Sequence, residues 1–233
     1  MTGQAKILDL KDVYYQWPGR SSFSLEVPEF FIEPAETVLL LGESGSGKST
    51  LLSLICGTVT AQKGFVNVQG TDLAGLSAAQ RDRFRAEKIG VIFQQFNLLP
   101  FGSVLDNILL PLRFAPDRRA RVSDAKAKAR ALIQELGLPA ELALRRAGTL
   151  SVGQQQRVAA ARALIGAPPL IIADEPTSAL DAATQATFLD LLFAQSRANG
   201  TALLMVSHDA RLAGHFDRVV EMAEVANVQR VAA

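Results

Sequence analysis

Cysteine is almost absent. Cys56 is the one thiol among 233 residues, so a disulfide framework within the chain is excluded. Its place in an apolar stretch marks it as a small core residue rather than a nucleophile. Long apolar runs are also missing: none approaches the roughly 18 residues that a bilayer span needs. Any membrane role is therefore expected to come through a partner. Met1 to Leu10 lacks a basic segment followed by an apolar one, so no secretory signal is read and a cytoplasmic protein is expected. Charge of one sign is lacking too. Lys and Arg number 24 against 23 for Asp and Glu, a net charge of +1. That balance argues against a dedicated nucleic-acid surface, and no nucleic-acid partner is expected. Internal repeats and low-complexity tracts are not seen.

What the chain does have is a 48% apolar content, ample for a packed core. The length suits one α/β domain with an inserted subdomain, or two small domains. Its most informative stretch is Gly42-Glu43-Ser44-Gly45-Ser46-Gly47-Lys48-Ser49-Thr50. This fits G-x-x-x-x-G-K-[ST], the phosphate-cradling loop of nucleoside triphosphatases. Thr37 to Leu41 before it has the length of a buried strand, and Leu51 to Ile55 after it reads as the start of a helix. Glycines let the backbone turn so that successive N–H groups face phosphate oxygens, and the helix N-terminus adds partial positive charge. Lys48 would reach the β- and γ-phosphates, and Ser49 would hold Mg²⁺.

Further short apolar runs are Ile89 to Phe93, Leu170 to Ala173 and Ala202 to Val206. Each is near-continuous, as parallel strands covered on both faces are. Residues 1–36 read as short strands and turns, punctuated by Pro18-Gly19, Pro28 and Pro34. Ser123 to Leu136 predicts a helix, with Ser123 as N-cap and Gly137 as stop. From Arg113 to Arg130 stand seven basic residues and two acidic ones, Asp117 and Asp124. A solvated helical face is the preferred reading, with a face toward anionic lipid headgroups or an acidic partner as the alternative. The strand at Leu170 ends in Asp174-Glu175. A carboxylate at a strand end beside a phosphate loop suits Mg²⁺, directly or through water, and the next one suits the attacking water. Ser151 is placed to cap a helix beginning within Val152-Gly153-Gln154-Gln155-Gln156-Arg157, and that helix start would form a second anion site.

Taken together and in order, these residues resemble the nucleotide-binding subunit of an ABC transporter nearly end to end. Gly42 to Thr50 resembles the Walker A loop, and Asp174 and Glu175 the Walker B pair. Gln94 resembles the Q-loop glutamine, with Gln95 adjacent. Leu150 to Gln154 resembles the LSGGQ signature, with Val152 in place of the first glycine of its pair. A β-branched residue disfavours positive φ, so the substitution matters only if position 152 needs that conformation. Ser178-Ala179-Leu180-Asp181 resembles the D-loop, and His208 the switch histidine. Trp17 is the choice for the aromatic that stacks on adenine, ahead of Tyr14 and Tyr15. Asn97 to Leu112 resembles the lipoprotein-release and macrolide-export branch, while Ser178-Ala179 departs from the Gly-Asn pair associated with it.

The resemblance implies an α/β fold: a P-loop NTPase core with a mainly parallel sheet, an N-terminal antiparallel β subdomain and an inserted α-helical signature subdomain. The core would take about 1–88 and 165–233, and the helical part about 89–164. It implies a head-to-tail dimer sandwiching two ATP, each Walker loop facing the signature of the other copy, here Ser151, Gly153 and Gln154. Mg²⁺ would be held by Ser49, Gln94 and Asp174. Lys48, Glu175 and His208 would be catalytic, and Asp181 would belong to the nucleotide site. The ATPase would drive a separate transmembrane permease from the cytoplasmic side of the plasma membrane, in export or extraction. Asn97-Leu98-Leu99-Pro100-Phe101 would dock that permease or be buried in the helical subdomain. Alternatives are mechanical regulation of a membrane partner without transport, and a soluble ABC ATPase acting on nucleic acid.

Overall fold

The computed structural model describes residues 6–18, 23–178 and 181–230. Gly19 of the expected Pro18-Gly19 turn, Ala179 and Leu180 of the D-loop-like stretch, and the first five residues lie outside the described ones. The chain divides into two compact units, one running to Arg85 and resuming at Leu204, the other Ala86–Leu203.

In chain order the first unit holds β1 (Leu8–Gln16), β2 (Phe23–Ile32), β3 (Thr37–Leu41), α1 (Lys48–Ile55), β4 (Lys63–Val68), β5 (Thr71–Asp72) and most of α2 (Ala78–Lys88). The second holds β6 (Ile89–Ile92), α3 (Val104–Leu109), α4 (Pro116–Ala120), α5 (Ala125–Glu135), α6 (Val152–Leu164), β7 (Leu170–Asp174) and α7 (Ala182–Ala198). Strand β8 (Ala202–Ser207) begins at the division. The first unit then closes with β9 (Arg218–Glu221), α8 (Met222–Val225) and β10 (Asn227–Arg230).

The first unit contains an antiparallel sheet in the order β10-β2-β1-β4-β5. Strand β1 buries Leu8, Leu10, Val13 and Tyr15. Its alternation slips at Asp12, which takes φ 52, and there the register with β4 shifts. Pro28 does not end a strand as expected; it lies inside β2. The sheet tolerates it because β10 pairs only Phe23 to Glu26, so the ladder on that side has already stopped, and the β1 register skips Pro28 opposite Asp12.

Parallel pairing occurs within each unit: β3 with β9 in the first, β6 with β7 in the second. Every residue of β3 and β8 is buried, as is β7 up to Asp174. These are the short apolar runs expected of covered parallel strands, and the fold class is the expected mixed α/β one.

In the second unit α3 and α5 pack on α6. Helix α6 buries Val158 to Leu164 along its whole girth, which its alanine content permits. The expected Ser123 cap is corrected. Asp124 is the N-cap of α5, and its Oδ1 accepts from the N–H groups of Lys126 and Ala127 at 2.9 and 3.0 Å. Either residue type is a good cap, and the helix starts one residue later than the serine requires. Gly137 does end that helix, at φ 68.

Candidate active site

Strand β3 runs out at Leu41 and the loop turns back into α1. Gly45 and Gly47 take φ of 82 and 101, a region that side-chain-bearing residues avoid. Gly42 is needed for space: a Cβ there would meet Ser46 Oγ at 2.7 Å and Met222 Cβ at 2.9 Å. The Lys48 ammonium is folded into the loop, donating to the carbonyls of Gly42 and Glu43 at 2.6 and 2.8 Å. Helix α1 starts from Gly47 with no side-chain cap and no acid in its first turn. By contrast α3, α5, α6 and α7 are capped by Ser103, Asp124, Ser151 and Asp181. A helix start carries N–H groups with no partner inside the helix and a partial positive charge. At α1 those groups, the glycine turns and Lys48 together form an anion cradle. Ser46 Oγ is buried there without a hydrogen-bond partner among the described residues. Ser49 is exposed on the first turn, beside the exposed Glu43 and Ser44.

Trp17 sits against the same turn. Its indole N–H donates to Thr50 Oγ1 at 3.2 Å, and its ring meets Tyr15 edge-on at 5.2 Å. Tyr15 is buried, which also pushes its phenol pKa up, and Tyr14 lies under the Lys63 ammonium at 5.6 Å. Of these aromatics, Trp17 is the one bonded to the first turn of α1. The end of β8 reaches the loop as well: the Gly42 N–H donates to the Ser207 carbonyl at 3.2 Å. His208 follows at once and is exposed. Asp209 caps the next turn and pairs with Arg211 at 2.8 Å.

The second unit gathers the remaining residues. Register pairs Ile92 of β6 with Ala173 of β7. Gln94 and Glu175, each two residues further on, therefore leave the same end of neighbouring parallel strands, and Asp174 is the last residue of β7. Glu175 takes φ 42, and its carbonyl accepts from the Ser178 N–H and hydroxyl at 3.3 and 3.1 Å. Phe96 and Asn97, just after Gln94, also have positive φ. Strained backbone of this kind persists only where its surroundings hold it. At α6 a reciprocal capping box joins Ser151 and Gln154. Val152 opens the helix at its first position, not in the positive-φ region, and is 48% exposed. The valine therefore imposes no backbone strain. Asp181 caps α7, accepting the Thr184 N–H at 2.9 Å.

Three polar residues escaped the sequence reading. Gln156 is fully buried on α6 and donates to the Pro176 carbonyl at 2.7 Å. Arg162, on the same helix, donates to the carbonyls of Phe96 and Asn97, and burial lowers its pKa. A signal was available for Arg162, a long polar side chain among small apolar neighbours, whereas Gln156 is hidden in the polar run Gln154 to Arg157. The third is Arg118, which corrects the reading of the basic run as a solvated face. It is 1% exposed, and burial and Arg121 pull its pKa down to about 10 while Glu87 opposes. Of the others, Arg113, Arg119 and Lys126 line an open recess of about 520 Å³ together with Leu109 and Leu112.

An α/β protein whose uncapped glycine-loop helix start carries an interior lysine is a P-loop nucleotide-binding protein. The sequence model of the ABC transporter family matches residues 25–178. A lipoprotein-releasing system ATP-binding protein, LolD, of Syntrophotalea carbinolica is 42% identical over 193 residues, 83% of each chain. The macrolide export ATP-binding/permease protein MacB of Rhodopirellula baltica is 40% identical over 193 residues, 83% of this chain and 28% of its own. Among solved structures, the dimeric post-hydrolysis ATP-binding cassette MJ0796 bound to ADP and Pi has a TM-score of 0.74 at 31% identity, covering 97% of this chain and 99% of that one. The chain belongs to the ABC transporter family. It is an ATP-binding subunit of the LolD/MacB type and an ATPase.

Proposed function

We infer that this chain closes head-to-tail with a second copy around two ATP, and that opening and closing drive a separate membrane permease in export or extraction. The observation that carries the reading is the pair of helix starts. Helix α1 begins without a side-chain cap in a glycine cradle, and α6 begins at the signature with its own cap made. The first is built to take phosphate at close range; at the second the cap takes the Gln154 N–H, and the helix start still turns its partial positive charge toward an anion from outside. The dimeric cassettes of the structural relatives support the pairing.

In this reading the ATPase core takes 1–88 and 165–233, and the helical part 89–164. Gly42 to Thr50 wrap the phosphates, Trp17 stacks on adenine and Lys48 turns from the loop carbonyls to the β- and γ-phosphates. Ser151, Gly153, Gln154 and Asp181 complete the site of the second copy. The residues suit Mg²⁺: the Ser49 hydroxyl, Gln94 amide and Asp174 carboxylate are hard oxygen donors. No cluster of three acids, histidines or cysteines occurs among the described residues. Bound there, Mg²⁺ supplies charge neutralisation at the phosphates. Glu175 orients the attacking water and accepts its proton. His208 donates to the γ-phosphate and stabilises charge as it develops.

The protein works peripherally, on the cytoplasmic face of the membrane. No helix among the described residues is long and apolar enough to cross a bilayer. The permease docks at Phe101, which is 75% exposed, while Leu98 and Leu99 behind it are half-buried. The test is Glu175→Gln in the assembled complex. It is expected to bind ATP, accumulate as an ATP-dependent dimer by size-exclusion chromatography and lose turnover. Wild-type turnover in that variant overturns the mechanism. Unchanged co-purification of the permease with Phe101→Asp overturns the docking surface.

A further inference from the structure

Helix α6 carries the signature at its first turn and Gln156 on a different face, two residues beyond Gln154, or about 200° around the axis. The Gln156 side chain is completely buried. Its Nε2 donates at 2.7 Å to the carbonyl of Pro176, the residue directly after Glu175. Its Oε1 is also buried and has no hydrogen-bond partner among the described residues. A half-satisfied buried amide is costly and needs a reason.

The segment it holds explains it. Glu175 leaves β7 at φ 42, a conformation that a carboxylate-bearing side chain adopts only under constraint. The following turn is closed locally by Ser178 bonding back to the Glu175 carbonyl. It is pinned from outside by Gln156 of α6 at Pro176 and by Gln185 of α7 at the Thr177 hydroxyl, 2.9 Å. Apolar packing would bury the turn equally well but would not fix its carbonyl direction. A donor on α6 does. A displacement of α6 along its axis is thereby passed to the residue that carries the attacking-water carboxylate.

We propose that Gln156 is a positioning residue that couples the two nucleotide sites of the dimer. This rests on the dimeric reading above. There, the signature of one copy meets the partner's ATP, whereas Glu175 serves its own copy's ATP. The Gln156–Pro176 bond joins these two parts within one chain, so seating α6 on one ATP sets the carboxylate at the other.

The experiment uses Gln156→Met, which keeps the side-chain length and removes the donor, and Gln156→Glu, which keeps the shape and loses the donor when ionised. Each is measured beside wild type and Glu175→Gln for kcat, KM for ATP, the Hill coefficient of turnover and the thermal midpoint. Gln156→Met is expected to lower kcat about 10- to 100-fold, and Gln156→Glu to do so at a pH high enough to ionise its buried carboxyl, the scale of a small misplacement of a reacting group. KM is expected to stay within about 2-fold, because the phosphate loop is untouched, and any cooperativity of the wild type is expected to fall toward a Hill coefficient of one. Gln156→Glu is expected to regain turnover relative to wild type as pH falls and the carboxyl recovers a donor. An unchanged kcat overturns the proposal. So does a fall in kcat that tracks loss of folded protein, or one with no recovery in Gln156→Glu at low pH. If wild type itself shows no turnover, the dimeric ATPase reading fails instead.

Discussion

Arg118→Met tests the packing of the helical unit most directly. The guanidinium lies 1% exposed and donates from Nε to the Ile165 carbonyl at 2.6 Å, from Nη2 to Ala163 at 2.6 Å and from Nη1 to Ala86 at 3.2 Å. The first two carbonyls close the C-terminal end of α6. Glu87, itself buried, accepts the N–H groups of Asp117 and Arg118 at 3.0 and 2.7 Å, which starts α4. Arginine therefore ties the end of one helix to the start of another. Methionine refills most of the volume, so the loss is almost wholly polar. Each of those carbonyls left buried without its donor costs about 1 kcal/mol or more. The Glu87 carboxylate also loses the attraction of a nearby positive charge. Summed over these three carbonyls the loss comes to roughly 3–5 kcal/mol. At about 2–4 °C per kcal/mol for a chain of this size, the midpoint should fall about 6–20 °C. The assay is urea and thermal unfolding by circular dichroism, with Arg121→Met beside it. That neighbour is exposed and bonds carbonyls near the surface, so it should stay within about 1 kcal/mol. A loss under about 1 kcal/mol in Arg118→Met refutes the claim that this arginine holds the unit together.

Trp17 is the one tryptophan, so indole fluorescence reports on its surroundings alone, and the proposed stacking on adenine is testable by it. ATP should change its emission, and Trp17→Ala should weaken ATP binding about 5- to 100-fold, the range for base stacking on an aromatic ring. Gly42→Ala forces a methyl to within 2.7 Å of Ser46 Oγ, so loop geometry must shift. Nucleotide affinity by titration calorimetry should drop at least about 10-fold, with about 1–3 kcal/mol of lost stability from overpacking. Val152→Gly should leave the unfolding free energy within about 1 kcal/mol and turnover within about threefold, because position 152 is already helical. A large gain in activity would show that the valine obstructs closure. Asp124→Ala should cost about 1 kcal/mol by removing the α5 cap, whereas Ser123→Ala should be neutral.

Much of the site was legible in the sequence because its chemistry is local. Thr37 to Leu41, the glycine loop and the following helix are contiguous, and their spacing alone specifies a phosphate cradle. The apolar runs at Leu170 and Ala202 likewise declare covered strands, since a segment buried on both faces has no polar side to show. The Ser151 cap follows from a serine standing directly before the helical run. Other features were beyond that range. Pro28 reads as a breaker until the ladder on one side is known to have ended at Glu26. Val152 reads as a defect until its φ is known.

The basic run from Arg113 to Arg130 shows where the division falls. Composition determined that charge is abundant there, and solvation predicts that it faces water. Only the tertiary structure decided that Arg118 turns inward. The open carbonyl end of α6, distant in sequence, needs a donor that the buried backbone cannot supply itself. The same holds for Gln156 and Arg162: their partners Pro176, Phe96 and Asn97 are brought to α6 by strand pairing. The sequence by itself determined a phosphate-binding ATPase of known lineage. The tertiary structure decided which polar side chains hold its helices and turns together, because burial turns an ordinary amide or guanidinium into a donor for a carbonyl held away from water.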